Sequence, residues 1–420
     1  PPFLAKISEG MGGDSETPFR AKDMAWCGDF SQLPPVGGDT LYGKSDVPAP
    51  APPKNVKPGK KLTKSQQKAE EEKHAKAAAK IKKIARANMG RALWNPSHVV
   101  FLGKNWRQKD DPDFLSMCNR VREGVGTIGP EKTSDYQRLR SHTLKDESPE
   151  RQREFAKDGT FLVGFNKAKM AIDRAYVRSL ASHLRVPILV ASSVDTFSGR
   201  EPTQAERLEI LRLPDAKCGG MPGLLDLVLM SEVMIKKSPF SVLGLSNGSR
   251  GTLVKIGLHQ DDIVNIAKDR PQSGERYYLK HPLQWAWIKL HEDHGIKLKG
   301  FPSGVVPIEI ESSSSTVLAG KPKVSFALTR KTCPFTVCKA MTFQICQGQT
   351  IPLGMMSWEK PERGHIDHRA YYVGLTRFPS FDSFRMVGEF DPLVLRTPPS
   401  QALLDEIENL KVIAVQTKVK

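Results

Sequence analysis

The sequence predicts an α/β protein with a mainly parallel sheet and a smaller β-rich subdomain set into it. Three observations predict this. Apolar runs alternate with helical patterns up to about residue 191, short apolar runs broken by Gly, Ser, Asn and Pro replace them over residues 224–324, and the alternation returns after Phe335. With 420 residues the chain has the length of two or three domains.

Taken in order, Met24–Phe30 reads as a short buried strand running into a loop rich in Pro and Gly. His98–Leu102 is a second apolar run, followed by a helical pattern over Pro112–Glu123. Thr160–Phe165 predicts a strand. Asn166–Leu184 predicts a helix with apolar Met170, Ile172, Tyr176, Val177 and Leu180, and Val186–Ala191 a further strand. Val228–Ile235, Thr252–Ile256 and Val305–Ile310 are the apolar runs of the β-rich part. Arg369–Leu375 and Phe384–Val387 carry the late α/β texture, and Ala402–Leu410 a weak helical pattern. No internal repeat is present.

Lys and Arg number 63 against 46 Asp and Glu, a formal net charge of +17 that points to a polyanionic partner, nucleic acid before a membrane surface. The charge is uneven. Residues 54–91 hold thirteen basic residues against Glu70, Glu71 and Glu72, a net of +10 that leaves +7 for the rest. This segment follows the Pro-rich Pro48–Pro53, an extended linker, and its Ala, Lys, Glu and Gln content favours a helix over Thr63–Ala92. It reads as a solvated spacer, a nucleic-acid-binding arm or an import signal around Lys80–Arg86. No run approaches the roughly 18 apolar residues of a membrane helix. The start lacks both a secretory pattern and a Met, so the sequence is expected to be part of a longer product.

Six scattered cysteines argue against a disulfide scaffold. Cys333-x4-Cys338, with Cys346 further on and His365 and His368 as partners, has the best metal-like spacing. Reduced, mostly buried thiols in an intracellular, reducing compartment are expected instead, and no metal site.

Gly38–Ser45 fits the G-x4-G-K-S phosphate-loop pattern. Pro34 and Pro35 precede it and the Pro-rich linker follows, so no helix can open at Ser45 to face a phosphate, and the match is expected to be chance. Nor does any apolar strand end in the Asp-Glu that would hold Mg²⁺.

Cys27-Gly28-Asp29-Phe30-Ser31-Gln32-Leu33-Pro34-Pro35-Val36 is more specific. A Gln held before two rigid prolines can sense a terminal phosphate or orient a water, because its amide both donates and accepts. The string resembles the third motif of the petite-integration-frequency (Pif) DNA helicases and their RecD-like relatives, superfamily-one motors that move 5′ to 3′ on single-stranded DNA. Further strings resemble that family in order. Leu102–Gln108, with the helix through Gly124, is similar to the fourth motif, and Phe161–Asn166 to the strand that opens the second motor domain. Leu245–Val254 is similar to the turn of the family's small β-barrel insertion, Met341–Ile351 to the fifth motif and Tyr372–Arg377 to the sixth.

The resemblance implies a RecA-like motor domain, a parallel sheet with flanking helices, with an inserted small β-barrel-like subdomain and the remnant of a first RecA-like domain. It divides the chain into the remnant (1–40), the Pro-rich linker and basic helical insertion (41–92), and a junction with the arginine-bearing fourth motif (93–150). The second RecA-like domain follows (151–235 and 331–395), interrupted by the β-rich insertion (236–330), and a tail closes the chain (396–420). It implies that Gln32 couples phosphate state to domain movement and that Arg107 and Arg377 reach the γ-phosphate, where an Arg is worth about 10³–10⁵ in rate. Gly28, Asp29, Gln347 and Gly348 would lie near the nucleotide, and Thr342, Thr350, Asn166 and Asn247 on the DNA-binding side. ATP and Mg²⁺ are the implied cofactors and single-stranded DNA the partner. A monomer, completed by an N-terminal motor half, is implied, in the nucleus or alternatively the mitochondrion, with repair, recombination and telomere maintenance as roles.

Two departures bear on this. The family's fifth motif usually reads Thr-x-His-Lys-Ser-Gln-Gly, whereas Gln344, Ile345 and Cys346 fill the middle here, without a base at Ile345. The resemblance also begins after the phosphate loop and the Mg²⁺-holding motif. The expectation is therefore an ATP-dependent DNA helicase present as a fragment inactive by itself. The alternative is a non-catalytic DNA-binding relic of a transposon-type helicase.

Overall fold

The computed structural model describes residues 4, 7–8, 11, 18–34, 41–42, 77–79, 81–82, 84–85, 87–211, 213–237, 245–292, 295–319, 324–359, 366 and 368–418. Most of the expected remnant and basic insertion, including Pro48–Pro53 and all of the phosphate-loop match except Leu41 and Tyr42, lies outside these residues. Of the expected 41–92 segment, Leu41 and Tyr42 form a bend, and the described residues between 77 and 92 are helical.

The centre is a parallel sheet of four short strands, β1 (Thr160–Val163), β13 (Ala340–Thr342), β14 (Gly354–Met356) and β15 (Phe384–Met386), in the order β13-β1-β14-β15. Burial on both faces explains their apolar runs. Beside it stand α1 (Pro112–Glu123), α2 (Asp135–Ser141), α3 (Pro149–Asp158), α4 (Asn166–Leu184) and α7 (Arg369–Leu375). Helix α1 shows why such a segment folds locally. The Asp111 carboxylate accepts from Phe114 N–H at 2.9 Å, Pro112 fits the first turn, and Gly124 ends the helix at φ 70°. A Cβ on Gly124 would meet Thr397 O at 2.5 Å, so glycine is required twice over. Phe114, Met117, Cys118 and Val121 recur at helical spacing and are buried in the main core with Leu162, Met341, Met356 and Phe384.

A five-stranded antiparallel sheet forms the β-rich part. Its strands are β5 (Glu232–Ile235), β6 (Arg250–Gly257), β8 (Trp285–Leu290), β9 (Val305–Glu309) and β12 (Phe335–Val337), in the order β12-β5-β6-β8-β9. Ala286, Ile288 and Leu290 alternate inward along β8 and share a second core with Leu253, Val306 and Ile308. The expected limits of 236–330 cut through this sheet, because β5 and β12 lie outside them and pair within it. Helix α6 (Gln260–Asp269) and β7 (Arg276–Tyr278) occupy the connection between β6 and β8, and α5 (Gln204–Leu211) lies further upstream. Two smaller sheets complete the fold. One is the long hairpin β10 (Glu311–Ala319) and β11 (Val324–Thr332) with β3 (Val194–Phe197), and the other is β2 (Ile188–Ser192) between β4 (Leu224–Leu227) and β7. The strand read at Val186–Ala191 thus joins its own sheet, parallel to β7 and antiparallel to β4, and not the central one.

Met24–Phe30 is not a strand, which corrects the sequence reading. Its residues are half-buried or exposed, Cys27 among them, and no strand among the described residues lies beside it to complete its hydrogen bonds. His98–Leu102 likewise pairs with no strand among the described residues. The last helix, α8 (Gln401–Lys418), is twice as long as the pattern at Ala402–Leu410 suggests. Trp94 Nε1 donates to Glu406 at 2.7 Å and Val99 N–H to the Thr417 hydroxyl at 3.0 Å, which bind α8 to the 94–99 segment. Among the described residues no helix is long and apolar enough to cross a membrane. Cys118, Cys218, Cys333, Cys338 and Cys346 are buried free thiols, and Cys333 and Cys338 sit in different cores.

Candidate functional site around two arginines

The turn before α1 is set by Asn105, whose side-chain oxygen accepts from the backbone N–H of Arg107 and of Gln108, both at 3.0 Å. This aims two side chains at the segment after α7. Arg107 Nη1 donates to Thr376 O at 2.8 Å, and its Nε to the Thr350 hydroxyl at 3.0 Å. Gln108 Nε2 donates to the same Thr376 O at 3.1 Å and to Phe378 O at 2.6 Å. Arg377 is only 3% exposed and donates to Val373 O at 2.9 Å, the Thr376 hydroxyl at 2.9 Å and Gln349 O at 3.5 Å.

Every acceptor in that set is neutral. Among the described residues no carboxylate lies within ion-pair distance of either guanidinium. Burial pushes both arginines below their ordinary range, and for Arg107 the charge of Arg377 adds to it. Burial also holds the neighbouring groups neutral, raising Cys346 and Tyr372 each to about 12. Two cations without a counter-ion in a partly dry site are costly to keep and are stabilised by an incoming anion, best a phosphate that can take several N–H donors.

The Asp29–Leu33 turn docks on the same helix. Asp29 accepts from Ser31 N–H at 2.9 Å and from Gln32 Nε2 at 3.4 Å, while Arg122 Nε donates to the Ser31 hydroxyl at 2.9 Å. Leu33 enters the main core. Asp29 acts on Arg377 through space, beyond contact. Gln32 is half-buried and, among the described residues, makes no hydrogen bond to either arginine. Gly28 is exposed with open space around it.

The segment after β13 curls against the pair. Gln347 and Gly348 are exposed, and Gly348 has φ 88°, a backbone state that favours glycine. Gln349 Nε2 donates to Ile345 O and to Gly248 O, both at 3.4 Å, which holds the turn carrying exposed Asn247 against Gln349. Thr350, expected with Thr342 on the nucleic-acid side, is instead bonded to Arg107. Thr342 ends β13 beside Val163 with 5% exposure. Asn166 is exposed at the first turn of α4, just past β1 and away from the bonds that join the pair.

Gln108, Gln349 and Thr376 organise the site and were not singled out from the sequence. All three lie inside the quoted strings, but nothing in their spacing separates a positioning amide from a surface one. Glycine at 374 has a packing cause. A Cβ there would stand 2.7 Å from Phe343 Cε1 and 3.0 Å from Met356 Sδ, so only glycine lets α7 lie close enough to deliver Thr376 and Arg377.

A scan against protein-family models gives no match, and a search of the curated proteins gives none. Similar solved structures are Pif1 helicases. The chain is 17% identical to the Pif1 helicase from Candida albicans, over 73% of this chain and 60% of that one, at a TM-score of 0.45. It is 16% identical to the Bacteroides Pif1 helicase in complex with ADP-AlF3 and ssDNA, over 75% and 57%, at 0.47. A Bacteroides Pif1 bound to ssDNA is 14% identical over 75% and 57%, at 0.46. The chain thus spans 57–60% of the length of these proteins.

Proposed function

We propose that the chain is the rear portion of an ATP-dependent DNA helicase of the Pif/RecD-like type, in which Arg107 and Arg377 reach the terminal phosphate of ATP. The carrying observation is a buried guanidinium, Arg377, and a half-buried one, Arg107, bonded only to neutral acceptors. Their donor set, all N–H, fits phosphate oxygens and not Mg²⁺, which would have to be held by residues elsewhere. ATP supplies the phosphoryl transfer; these two residues neutralise charge on its terminal phosphate. The six ordered strings support translocation on single-stranded DNA, 5′ to 3′, and a nuclear location goes with that reading.

The same reading includes a second motor half as partner to a monomeric chain. Val100, Phe101 and Leu102 are consecutive, 76%, 52% and 93% exposed, and make the pattern of a strand meant to be covered on both faces. Alone, the chain is therefore expected to bind without turning over. The alternative, a non-catalytic DNA-binding relic, is favoured by Ile345, which packs against the main core where a base would touch DNA.

The test is binding of labelled ATP and of an oligo-dT strand to the chain, with hydrolysis followed in parallel. The proposal expects ATP binding that Arg377→Ala weakens about tenfold or more, and turnover far below the roughly 1–100 s⁻¹ of phosphoryl-transfer enzymes. Binding of DNA with none of ATP would favour the relic, and full turnover would refute the inactive fragment.

A further inference from the structure

We propose that His259, Asp261 and His281 form a binding site for one divalent transition-metal ion of the Zn²⁺ kind. This site lies in the β-rich part and is independent of the arginine pair. Strand β6 ends at Gly257, and His259 caps the helix that follows; its Nδ1 accepts from Asp261 N–H at a long 3.3 Å. The chain returns through β7 and brings His281 back to the start of that helix.

The return is fixed by Asp262, which is 1% exposed. Its carboxylate accepts from Lys280 N–H at 2.8 Å and His281 N–H at 3.0 Å, and lies 3.1 Å from His281 Nδ1. The carboxylate fits the tautomer with the proton on Nδ1, in which the neutral ring keeps its lone pair on Nε2. This is the carboxylate–histidine arrangement that orients a metal-bound imidazole.

The free Nε2 is 3.8 Å from Asp261 Oδ2, and His259 Nδ1 is 3.4 Å from the same oxygen. One ligand atom from each of the three residues falls within 4.8 Å of the others; the rings are stacked at 3.8 Å with planes 22° apart, so one imidazole must rotate out of the stack for both lone pairs to meet one ion. Tetrahedral zinc with bonds of about 2.0–2.1 Å separates its ligands by about 3.3 Å, so three of the four positions form once His259 Nδ1 gives up its long bond from Asp261 N–H and turns its lone pair to the ion. Both histidines are half-buried and Asp261 is exposed, which leaves the fourth position to water. The positive end of the helix dipole opposes a cation here, and Asp261 and Asp262 in its first turn offset it. Two imidazoles and one carboxylate favour zinc over calcium or magnesium, which prefer oxygen. The ion would clamp the start of α6 to the connection into β8.

Zn²⁺ alone is titrated calorimetrically into the full chain carrying Cys27→Ser, which removes the exposed thiol, and Co²⁺ is followed by its visible absorption. The expected result is one ion per chain at micromolar concentration, a rise in melting temperature with Zn²⁺, and at least a tenfold loss of affinity in both His281→Gln and Asp261→Asn. Asp261 is exposed, so its variant keeps the fold, and circular dichroism checks this. No binding up to about 1 mM, or the same affinity in wild type and both variants, would overturn the proposal.

Discussion

Arg107 donates to the carbonyl oxygen of Thr376, the residue immediately before Arg377, so one backbone step holds both guanidiniums together. Such a pair is a stability burden unless an anion joins it. Replacing Arg377 by Met, of similar length and uncharged, should change stability by less than about 1 kcal/mol, whereas breaking a structural buried ion pair costs about 3–5 kcal/mol. Tripolyphosphate should raise the melting temperature of the wild type by mass action and leave Arg377→Met almost unmoved. Thermal unfolding with and without tripolyphosphate checks both statements, and a large loss of stability without ligand would make Arg377 a structural residue.

Gly374→Ala probes how the same pair is delivered. The added methyl has to displace Phe343 or Met356, and overpacking of this kind costs about 1–3 kcal/mol. Because α7 carries Thr376 and Arg377, the helix shift should also weaken tripolyphosphate binding. A urea midpoint and a binding titration on one sample read the two effects; an unchanged midpoint would mean that the helix has slack.

The contrast between these two residues shows what was legible in the sequence. The parallel layer, the β-rich part and helix α1 follow from periodicity and caps, because Phe114, Met117, Cys118 and Val121 announce their buried face. Arg107 and Arg377 are 270 residues apart, yet their strings pointed to one role, and the structure brings them together. The burial of Thr342 is not legible in the sequence, because a buried strand end and a surface hydroxyl look alike in one dimension. Met24–Phe30 was misjudged because an apolar run is a strand only when a neighbour completes its hydrogen bonds. The sheet limits near 235 and 330 were invisible because β5 and β12 pair across a hundred residues of chain, and separation in sequence says nothing of that register.

Asp195 and Arg330 make a buried bidentate pair that no motif announces. Arg330 Nε and Nη2 donate to the two Asp195 oxygens at 2.8 Å each, and both side chains are nearly inaccessible, at 1% and 2%. Ser193 and the carbonyl of Met221 complete the set. Asp195→Ala would strand the guanidinium among Phe197, Leu328 and Cys218 and should cost about 3–5 kcal/mol. Urea unfolding checks the value; a loss below about 1 kcal/mol would show that water reaches Arg330.

His142 should make stability depend on pH. Its Nε2 lies 2.8 Å from Phe381 O and 2.9 Å from Arg385 Nη1, and its ring packs 4.1 Å from that of Phe381. Burial first, and the Arg385 charge second, hold it below its ordinary range. The unfolded chain therefore takes up a proton near the usual value of about 6.5, where the folded chain still refuses it. Stability contributed by neutral His142 is full above that value and falls as pH drops through it, levelling once the folded histidine also titrates. His291, lowered by burial and then by Arg250, acts in the same direction, while Asp226, raised by burial, acts in the opposite one. The difference between wild type and His142→Gln cancels both. Unfolding free energies measured from pH 8 to pH 5 should converge toward the acid end, and parallel curves would place the proton uptake on another group.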